Sequence, residues 1–343
     1  MAVFQLSALM AQETRLIKPN DKQLIINGVF FPEKSSDKVI LNRFDKKTLK
    51  AKETYMNPIK ANAQSGVSIL FSTNSETITF HFSKRDDTKN RMGTFGIFKN
   101  GKFVKEIKIT KDKPVDNISV KNPDGAQWAE WMIVLPPYYG LDFKGIDIDK
   151  NSKYKKSTIQ SNKVYVAIGN SITQGTGQNG SYQTYPFLLA QKNNWQLFNL
   201  GVGGSKISWP VADMIADKKI DVITILWGYN DWNAGFKADG KIKANYTKLL
   251  EKLLKHHPET RIYCILPTAT KRTAPKKGDE TLENIRKAEE NIVKSFQQKG
   301  YSDLFLIHGQ EISDVSYLKD MVHFTVSGAE KFATNLDKKI NSK

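Results

Sequence analysis

The sequence contains a single cysteine, Cys264, among its 343 residues. One thiol cannot form an internal disulfide, and it cannot build a cysteine-based metal site. The apolar run around it, residues 261–267, is typical of a buried strand, so we predict that Cys264 is a small core side chain. The sequence also lacks any run of 18 apolar residues, which excludes a membrane-spanning helix.

Arginine is scarce although the chain is strongly basic. The formal net charge is +17, and only 7 of the 52 basic residues are arginine. Nucleic-acid interfaces depend on bidentate hydrogen bonds from arginine and on clusters of basic side chains. Here the excess of positive charge is spread along the whole chain. We therefore expect no nucleic-acid binding, and we interpret the lysines as a solvated surface that mildly favours acidic glycans.

Residues 2–11 are mostly apolar, and small residues precede a candidate cleavage point near Ala11 and Gln12. This pattern is typical of the end of an export signal, although the basic residues that usually precede such a core are lacking. We expect residues 1–14 to be a residual signal-like or disordered segment and the protein to be periplasmic or secreted. The alternative is a disordered N-terminus on a cytoplasmic protein.

Residues 15–150 contain short apolar or alternating runs separated by turn residues, with no competing helical period. The dipeptide Asn100-Gly101 between two of these runs is a strong hairpin signal. The pattern predicts an all-β sandwich, or jelly-roll-like, domain. The predicted strand regions are 39–41, 67–71, 77–82, 93–98, 103–109 and 131–135.

Residues 151–163 are polar and unpatterned, and we predict that they form a linker. In residues 164–343, five continuous apolar runs alternate with helical segments. Such runs are typical of parallel strands covered on both faces, so we predict a three-layer α/β/α domain with a five-stranded parallel sheet. The predicted strands are 164–168, 197–200, 222–227, 261–266 and 304–307, and the clearest helices span 246–257 and 280–298.

Polar residues follow the ends of the predicted parallel strands, where the ligand crevice of such a sheet lies. Ser171 follows the first strand, Gly204 the second and Asn230 the third. Asp320 and His323 follow the last strand. Together these residues supply what acyl transfer through a serine requires: a nucleophile, a base, a residue that orients the base, and donors for an oxyanion.

On these residues the chain resembles the SGNH, or GDSL-like, hydrolase family over residues 164–343. One departure is visible: Asn170 stands where the family commonly has an Asp before the serine. Residues 137–147 look like part of the N-terminal domain of bacterial acetylxylan-esterase-like proteins, which implies carbohydrate O-acetyl groups as substrates. The residues that carry the family resemblance are, in block order, Ser171, Gly204, Asn230 with Asp231, and Asp320 with His323.

The resemblance implies a role for each of these residues. Ser171 is the expected nucleophile, His323 its general base, and Asp320 the residue that orients the imidazole. The expected oxyanion hole consists of the Ser171 and Gly204 N–H groups and the Asn230 side-chain amide. The resemblance implies neither a metal nor a cofactor.

Aromatic residues and a basic loop lie near these blocks. We predict that Tyr229, Trp209 and Trp232 contact a sugar, with core packing as the alternative for each. We expect Asp231 to fix the turn that presents Asn230. Residues 267–281 form a long basic loop that is either a lid or binding edge, or merely solvated.

The sequence therefore predicts an exported esterase that removes short acyl groups, chiefly acetyl, from an acylated carbohydrate. An acyltransferase would use the same residues but pass the acyl group to an alcohol. A lipase or thioesterase would need a long apolar channel for the acyl chain. A catalytically inactive glycan-binding module is a further alternative, although the intact Ser171, Asp320 and His323 argue against it.

Overall fold

The structure, a computed structural model, describes residues 13–88, 90–110 and 115–342. Residues 1–12, most of the predicted signal-like segment, therefore lie outside the described residues. Within those described ranges, no helix is long and apolar enough to cross a membrane.

The first half of the chain forms two antiparallel sheets. Aromatic side chains of the two sheets meet in a shared core: the rings of Phe71 and Phe80 are 6.0 Å apart, and those of Phe82 and Phe95 are 5.5 Å apart. The predicted β-sandwich is thereby confirmed. The strands are β1 Thr14–Ile17, β2 Ile25–Asn27, β3 Phe31–Lys34, β4 Val39–Asn42, β5 Ser68–Thr73, β6 Thr77–Lys84, β7 Thr94–Lys99, β8 Lys102–Lys108, β9 Asn117–Lys121, β10 Ala129–Val134, β11 Leu141–Asp149 and β12 Tyr154–Lys155.

One sheet of the sandwich has the order β3-β4-β11-β6-β9, with β1 also paired to β11. The other has the order β12-β5-β10-β7-β8, with β2 also paired to β5. The predicted hairpin joins β7 to β8, and Asn100 and Gly101 adopt φ values of +51° and +76°. A tight two-residue turn needs positive φ at both positions, which explains why Asn-Gly is found there.

The first half also contains elements that the sequence pattern did not predict. Strand β12 lies within the segment predicted as a linker and pairs with β5 of the sandwich. Two short helices, α1 Lys46–Lys50 and α2 Pro58–Ala61, interrupt the strand pattern. Each is too short to display a 3.6-residue period, which is why no helical signal was visible.

The second half contains a five-stranded parallel sheet, as predicted. Its strands are β13 Lys163–Gly169, β14 Trp195–Gly201, β15 Val222–Leu226, β16 Arg261–Ile265 and β17 Leu304–Ile307. They lie in the order β14-β13-β15-β16-β17. The helices are α3 Ser171–Gln174, α4 Tyr185–Asn193, α5 Pro210–Met214, α6 Tyr229–Asn233, α7 Lys243–His256, α8 Leu282–Gln298 and α9 Val326–Asn341. Helices α4 and α9 pack together, and α7 packs against both α5 and α8.

The strand order places the start of the α/β half at a switch point. Strand β13 lies between β14 and β15. The connection after β13 therefore leads to one side of it, and the connection after β14 leads back to its other side. A crevice forms beyond the carboxyl end of such a strand. The two halves share apolar contacts: Phe30 stacks on Phe198 at 4.0 Å, and Phe98 lies 5.8 Å from Phe187.

Candidate active site

Ser171 occupies the sharp turn between β13 and α3. It is the first residue of α3, and the Asn170 side chain caps that helix by accepting a hydrogen bond from the Ile172 N–H at 3.0 Å. Asn170, the departure from the family pattern, thus makes a local hydrogen bond as an amide. Gly175 ends the helix with φ of +109°, a conformation that other residues rarely adopt.

Ser171, His323 and Asp320 form a continuous hydrogen-bonded chain. The Oγ atom of Ser171 lies 2.8 Å from Nε2 of His323, across a separation of 152 residues in sequence. On the other side of the ring, Nδ1 of His323 lies 2.8 Å and 3.1 Å from the two carboxylate oxygens of Asp320. This order of groups can activate a serine, because the imidazole accepts the hydroxyl proton while the carboxylate orients the ring.

A tight turn brings Asp320 and His323 together. Oδ1 of Asp320 accepts hydrogen bonds from the N–H groups of Val322 and His323, each at 2.9 Å. Partial burial alone would raise the pKa of Asp320, but these backbone hydrogen bonds and the contact with the His323 ring outweigh it, and the pKa is lowered. The carboxylate therefore stays ionised and accepts the Nδ1 proton of the ring.

The three predicted oxyanion donors lie at the ends of neighbouring strands. Ser171 follows β13, Gly204 follows β14 and Asn230 follows β15, and β13 is the middle strand of the three. Gly204 adopts φ of +83° in a turn closed by a hydrogen bond from the Ser205 N–H to the Val202 carbonyl. The Asn230 amide donates to the Ser205 carbonyl at 2.9 Å. An amide has two N–H bonds, and among the described residues the Ser205 carbonyl is the one acceptor bonded to this amide.

Asp231 ties the loop that carries Asn230 to the preceding loop. Its carboxylate is fully buried and accepts a hydrogen bond from the Ile207 N–H at 3.1 Å. This contact agrees with the predicted structural role of Asp231. Burial raises the pKa of Asp231 to about 7, because a carboxylate loses its hydration there.

A second buried acid, Glu289 of α8, lies behind the same loop. Neither of its carboxyl oxygens has a hydrogen-bond partner among the described residues, and the side chain is 0% exposed. Burial, and then the nearby Asp231, raise the pKa of Glu289 well above its usual value. Gly228 passes directly over it, since a Cβ at that position would lie 2.3 Å from Oε1 of Glu289.

The β-sandwich holds the strand that leads to Gly204, a contact that our sequence reasoning missed. Arg43 is only 1% exposed, and its guanidinium donates to the carbonyl oxygens of Asn199 at 2.6 Å and Gly201 at 3.0 Å. It also donates to the Ala63 carbonyl within the sandwich, at 2.6 Å. Burial lowers the pKa of Arg43 to about 9. No sequence pattern predicts that an arginine will bond to the backbone carbonyls of a distant strand.

Gln174 joins the helix of Ser171 to the glycine turn and to the sandwich. Its Oε1 accepts the Gly203 N–H at 2.6 Å, and its Nε2 donates to the Lys60 and Pro137 carbonyls at 2.9 Å and 3.2 Å. The Lys60 ammonium in turn donates to the Gly203 carbonyl at 2.9 Å. The turn that carries Gly204 is therefore held from both halves of the molecule.

Two of the aromatic residues predicted to contact substrate are largely buried. Tyr229 is 7% exposed and lies beside Asn230, and its hydroxyl accepts a hydrogen bond from Nε of Arg272 at 3.3 Å. Trp232 is 1% exposed, and its ring nitrogen donates to the Glu280 carbonyl at 2.7 Å. Trp232 therefore occupies the core rather than a surface that a sugar can reach, and this placement corrects the expectation from sequence.

Trp209 is half-buried at the start of α5. The Lys248 ammonium lies 3.6 Å from the centre of its ring, and the Lys252 ammonium lies 5.1 Å from it. These cations belong to α7, so the ring is engaged by a neighbouring helix. Sequence alone cannot distinguish a tryptophan that packs against a neighbouring helix from a tryptophan that contacts a ligand, because either can occur beside the same motif.

The basic loop of residues 267–281 lies beside two of the site's segments. The Lys271 N–H donates to the carbonyl of Met321, which lies between Asp320 and His323 in sequence, at 2.9 Å. Further along, the Lys276 N–H donates to the Asn233 side chain of α6 at 3.0 Å. The loop is thus anchored to the surrounding structure at both places, and it borders the site.

Comparisons with known proteins relate the chain to one sequence family and to several solved structures. Residues 167–331 match the model of the GDSL-like lipase/acylhydrolase family, and this range contains Ser171, Gly204, Asn230, Asp320 and His323. No curated protein sequence matches the chain.

Solved structures similar to this one extend over both halves of the chain. A salicylyl-acyltransferase from a tetracycline biosynthetic pathway aligns with a TM-score of 0.83 and 17% identity, covering 97% of this chain and 98% of its own. A Bacteroides ovatus protein described as GDSL-like lipase aligns with a TM-score of 0.78 and 19% identity, covering 96% and 98%. An acetyl xylan esterase from Butyrivibrio proteoclasticus aligns with a TM-score of 0.64 and 13% identity, covering 96% and 98%. At these identities the similarity establishes the two-part fold.

Proposed function

We propose that this chain is a serine esterase that removes acetyl groups from carbohydrate esters, because residues 167–331 match the model of the GDSL-like lipase/acylhydrolase family. The observation that carries the proposal is the chain of contacts from Ser171 through His323 to Asp320, with distances of 2.8 Å at both links. This arrangement lies at the switch point of a parallel sheet, where substrates of such folds bind.

In the proposed acylation step, Oγ of Ser171 attacks the ester carbonyl carbon while Nε2 of His323 takes the hydroxyl proton. The carbonyl oxygen becomes an oxyanion, which accepts hydrogen bonds from the N–H groups of Ser171 and Gly204 and from the Asn230 amide. The bond from the carbonyl carbon to the sugar oxygen then breaks. His323 returns the proton to that oxygen, the sugar leaves, and the acyl group remains on Ser171.

In the proposed deacylation step, water takes the place of the sugar. The water oxygen attacks the acyl carbon while His323 accepts a proton from the water. The same donors stabilise the second oxyanion. The bond to Oγ breaks, His323 returns the proton to Ser171, and acetic acid leaves as acetate. Asp320 stays ionised throughout and stabilises the imidazolium that forms twice in each cycle.

Polar neighbours of the site support a small acyl group and a hydroxylated substrate. Thr176 follows Ser171 closely and is hydrogen-bonded to the Tyr138 hydroxyl, while Gly203 is bonded to Lys60 and Gln174. A lipase buries a long alkyl chain and gains roughly 0.8 kcal/mol for each CH₂ group, which requires an apolar wall. We further propose that the enzyme acts in the periplasm or outside the cell, where polymeric glycans are found.

The direct test is a screen of acetylated polysaccharides, with released acetate as the measurement and Ser171→Ala as the matched inactive control. We expect acetate release by the unmodified protein from at least one glycan and none by the variant. Release at equal rates by both proteins would place the reaction at another group. The absence of release from every glycan would overturn the carbohydrate assignment.

A second test compares p-nitrophenyl esters of increasing chain length. We expect kcat/KM to fall steeply from acetate to butyrate to octanoate. A profile that rises toward octanoate, combined with no acetate release from glycans, would replace the proposal with a lipase or thioesterase.

Acyl transfer to an alcohol is a second candidate function. The observation that favours it is the similarity of both halves of the chain to the salicylyl-acyltransferase, at a TM-score of 0.83. A transferase and a hydrolase form the same acyl-enzyme and differ in whether an alcohol or water attacks it. Measuring acetate and acetylated product together, with and without an oligosaccharide acceptor, separates the two. Product formation that exceeds acetate release would favour the transferase.

A further inference from the structure

Arg272 has an unusual environment among the charged residues that border the site. Its Nε donates to the Tyr229 hydroxyl at 3.3 Å, and Tyr229 is the neighbour of Asn230 in α6. The adjacent residue, Lys271, is bonded to the Met321 carbonyl, two residues before His323. Arg272 is therefore held between the segments that carry Asn230 and His323.

The end of the Arg272 side chain is available to a ligand. Among the described residues no carboxylate lies within 4 Å of its guanidinium, in contrast to Arg85 and Arg286, which pair with Asp87 and Glu283. The residue is half-buried, and among the described residues the hydrogen bond from Nε to Tyr229 is the one that its side chain makes. With Nε engaged by Tyr229, Nη1 and Nη2 remain as two parallel donors, the arrangement that binds a carboxylate bidentately.

Other cations face the same region from the sandwich. A Cβ at Gly204 would lie 3.5 Å from the Lys60 ammonium, so this charge adjoins the glycine turn. The Arg91 guanidinium lies 4.9 Å from the centre of the Tyr138 ring, and the Tyr138 hydroxyl is bonded to Thr176, five residues after Ser171. Asp231 and Glu289, the acids behind the site, are fully buried. Lys60, Arg91 and Arg272 therefore bring positive charge to the site, where the ionised Asp320 is already bonded to His323.

We propose that Arg272 binds a carboxylate of the substrate, so that the enzyme selects acetylated glycans that contain uronic acid. This inference rests on the proposed esterase function and specifies its substrate class. The carboxylate would belong to the sugar part of the substrate, since acetyl itself carries no charge. Specificity then arises because a neutral glycan leaves the guanidinium without a partner.

The kinetic test compares two matched substrates, acetylated tri-galacturonic acid and the same trisaccharide with its carboxyl groups methyl-esterified, by released acetate. For the unmodified protein we expect kcat/KM to be roughly 10- to 100-fold higher on the acid form, as one charged bidentate contact provides. Arg272→Met should reduce this preference to about twofold or less, because the charged contact is lost. Arg272→Lys should give an intermediate value, because an ammonium keeps the charge but lacks the fork.

Lys276→Met is the matched control, since it removes one positive charge from an exposed position of the same loop. It should retain the preference of the unmodified protein. An equal loss of preference in Lys276→Met and Arg272→Met would show a diffuse effect of charge and overturn the assignment to Arg272. Equal kcat/KM on both substrates for the unmodified protein would overturn the inference while leaving the esterase function intact.

A binding experiment separates this inference from the proposed reaction. The Ser171→Ala variant keeps Arg272 but cannot turn over substrate, so calorimetric titration with unacetylated tri-galacturonic acid and its methyl ester measures the contact alone. We expect tighter binding of the acid form, and loss of that difference in the Ser171→Ala, Arg272→Met double variant. If no glycan is deacetylated but this difference is observed, the esterase proposal fails and the anion site stands. Equal binding of both trisaccharides overturns the anion site.

Discussion

The side-chain oxygen of Gln174 accepts a hydrogen bond from the Gly203 N–H at 2.6 Å, and this bond joins the helix of Ser171 to the turn of Gly204. In a serine hydrolase, the nucleophile and the oxyanion donors must be correctly positioned before the reaction begins. Because Gln174 also bonds to the Lys60 and Pro137 carbonyls, the sandwich contributes to that relationship. The N-terminal half is therefore expected to affect turnover as well as stability.

Gln174→Met tests this coupling, because it keeps a side chain of similar length but leaves the Gly203 N–H without its acceptor. We expect kcat to fall about 10- to 100-fold with little change in KM, as a misplaced oxyanion donor should affect the transition state most. Ser65→Ala is the control, since it removes a hydrogen bond from Ser65 to the Gln174 carbonyl at the same interface. A change confined to KM, or an equal loss in both variants, would contradict the positioning role.

Ser171→Ala and His323→Ala should each lower kcat by about 10⁴-fold or more, because neither a nucleophile nor its base works without the other. The measurement is steady-state turnover of p-nitrophenyl acetate, with circular dichroism to show that both variants are folded. The double variant should be no worse than either single variant, since the two residues act as one unit. Retention of more than a few per cent of kcat by Ser171→Ala would remove Ser171 from the nucleophile role.

Asn230→Ala should lower kcat by roughly 10² to 10³ and change KM little, the effect of removing one donor that acts in the transition state. Asn230 also donates to the Ser205 carbonyl, so a thermal melt should accompany the kinetics. A rise in KM without a fall in kcat would instead identify Asn230 as a group that binds the substrate.

Every strand end of the parallel sheet lies within two residues of its predicted position, because the strands are continuous apolar runs with polar ends. Strand β11 was not predicted as a strand. The ladder changes register between Phe143 and Gly145, and Gly145 has φ of +121°, so a bulge breaks the alternation that marks a strand in sequence. Irregularities of this kind depend on a partner strand and leave no local signal.

The contact partners of the site were less accessible to sequence reasoning than its central residues. Ser171 and His323 were predicted because their blocks occur in a characteristic order. Arg43 was missed because its partners are backbone carbonyls, which every residue possesses. Trp232 was expected to face a sugar but lies in the core, since an aromatic residue beside a motif fits either environment.

Glu289 provides a prediction for pH dependence. Its folded-state pKa lies well above the ordinary value of 4.5, so between those two values the folded protein holds a proton that the unfolded chain releases. The contribution of Glu289 to stability therefore falls as pH rises above about 4.5, with a slope of at most about 1.4 kcal/mol per pH unit for one group. Glu289→Gln removes this titration, and the loss of stability with rising pH should become smaller.

The measurement for Glu289 is the midpoint of thermal or urea unfolding at pH 5, 6.5 and 8. We expect the advantage of Glu289→Gln over the unmodified protein to grow across this series, because the unmodified protein alone must either ionise the buried acid or hold its proton against rising pH. Glu290→Gln on the same helix is the control of opposite sign: the hydrogen bond to Lys294 lowers the pKa of Glu290, so ionised Glu290 stabilises the fold. That variant should show no advantage at pH 8. If Glu289→Gln and the unmodified protein lose stability in parallel from pH 5 to pH 8, the titration of Glu289 does not contribute to the pH dependence of folding.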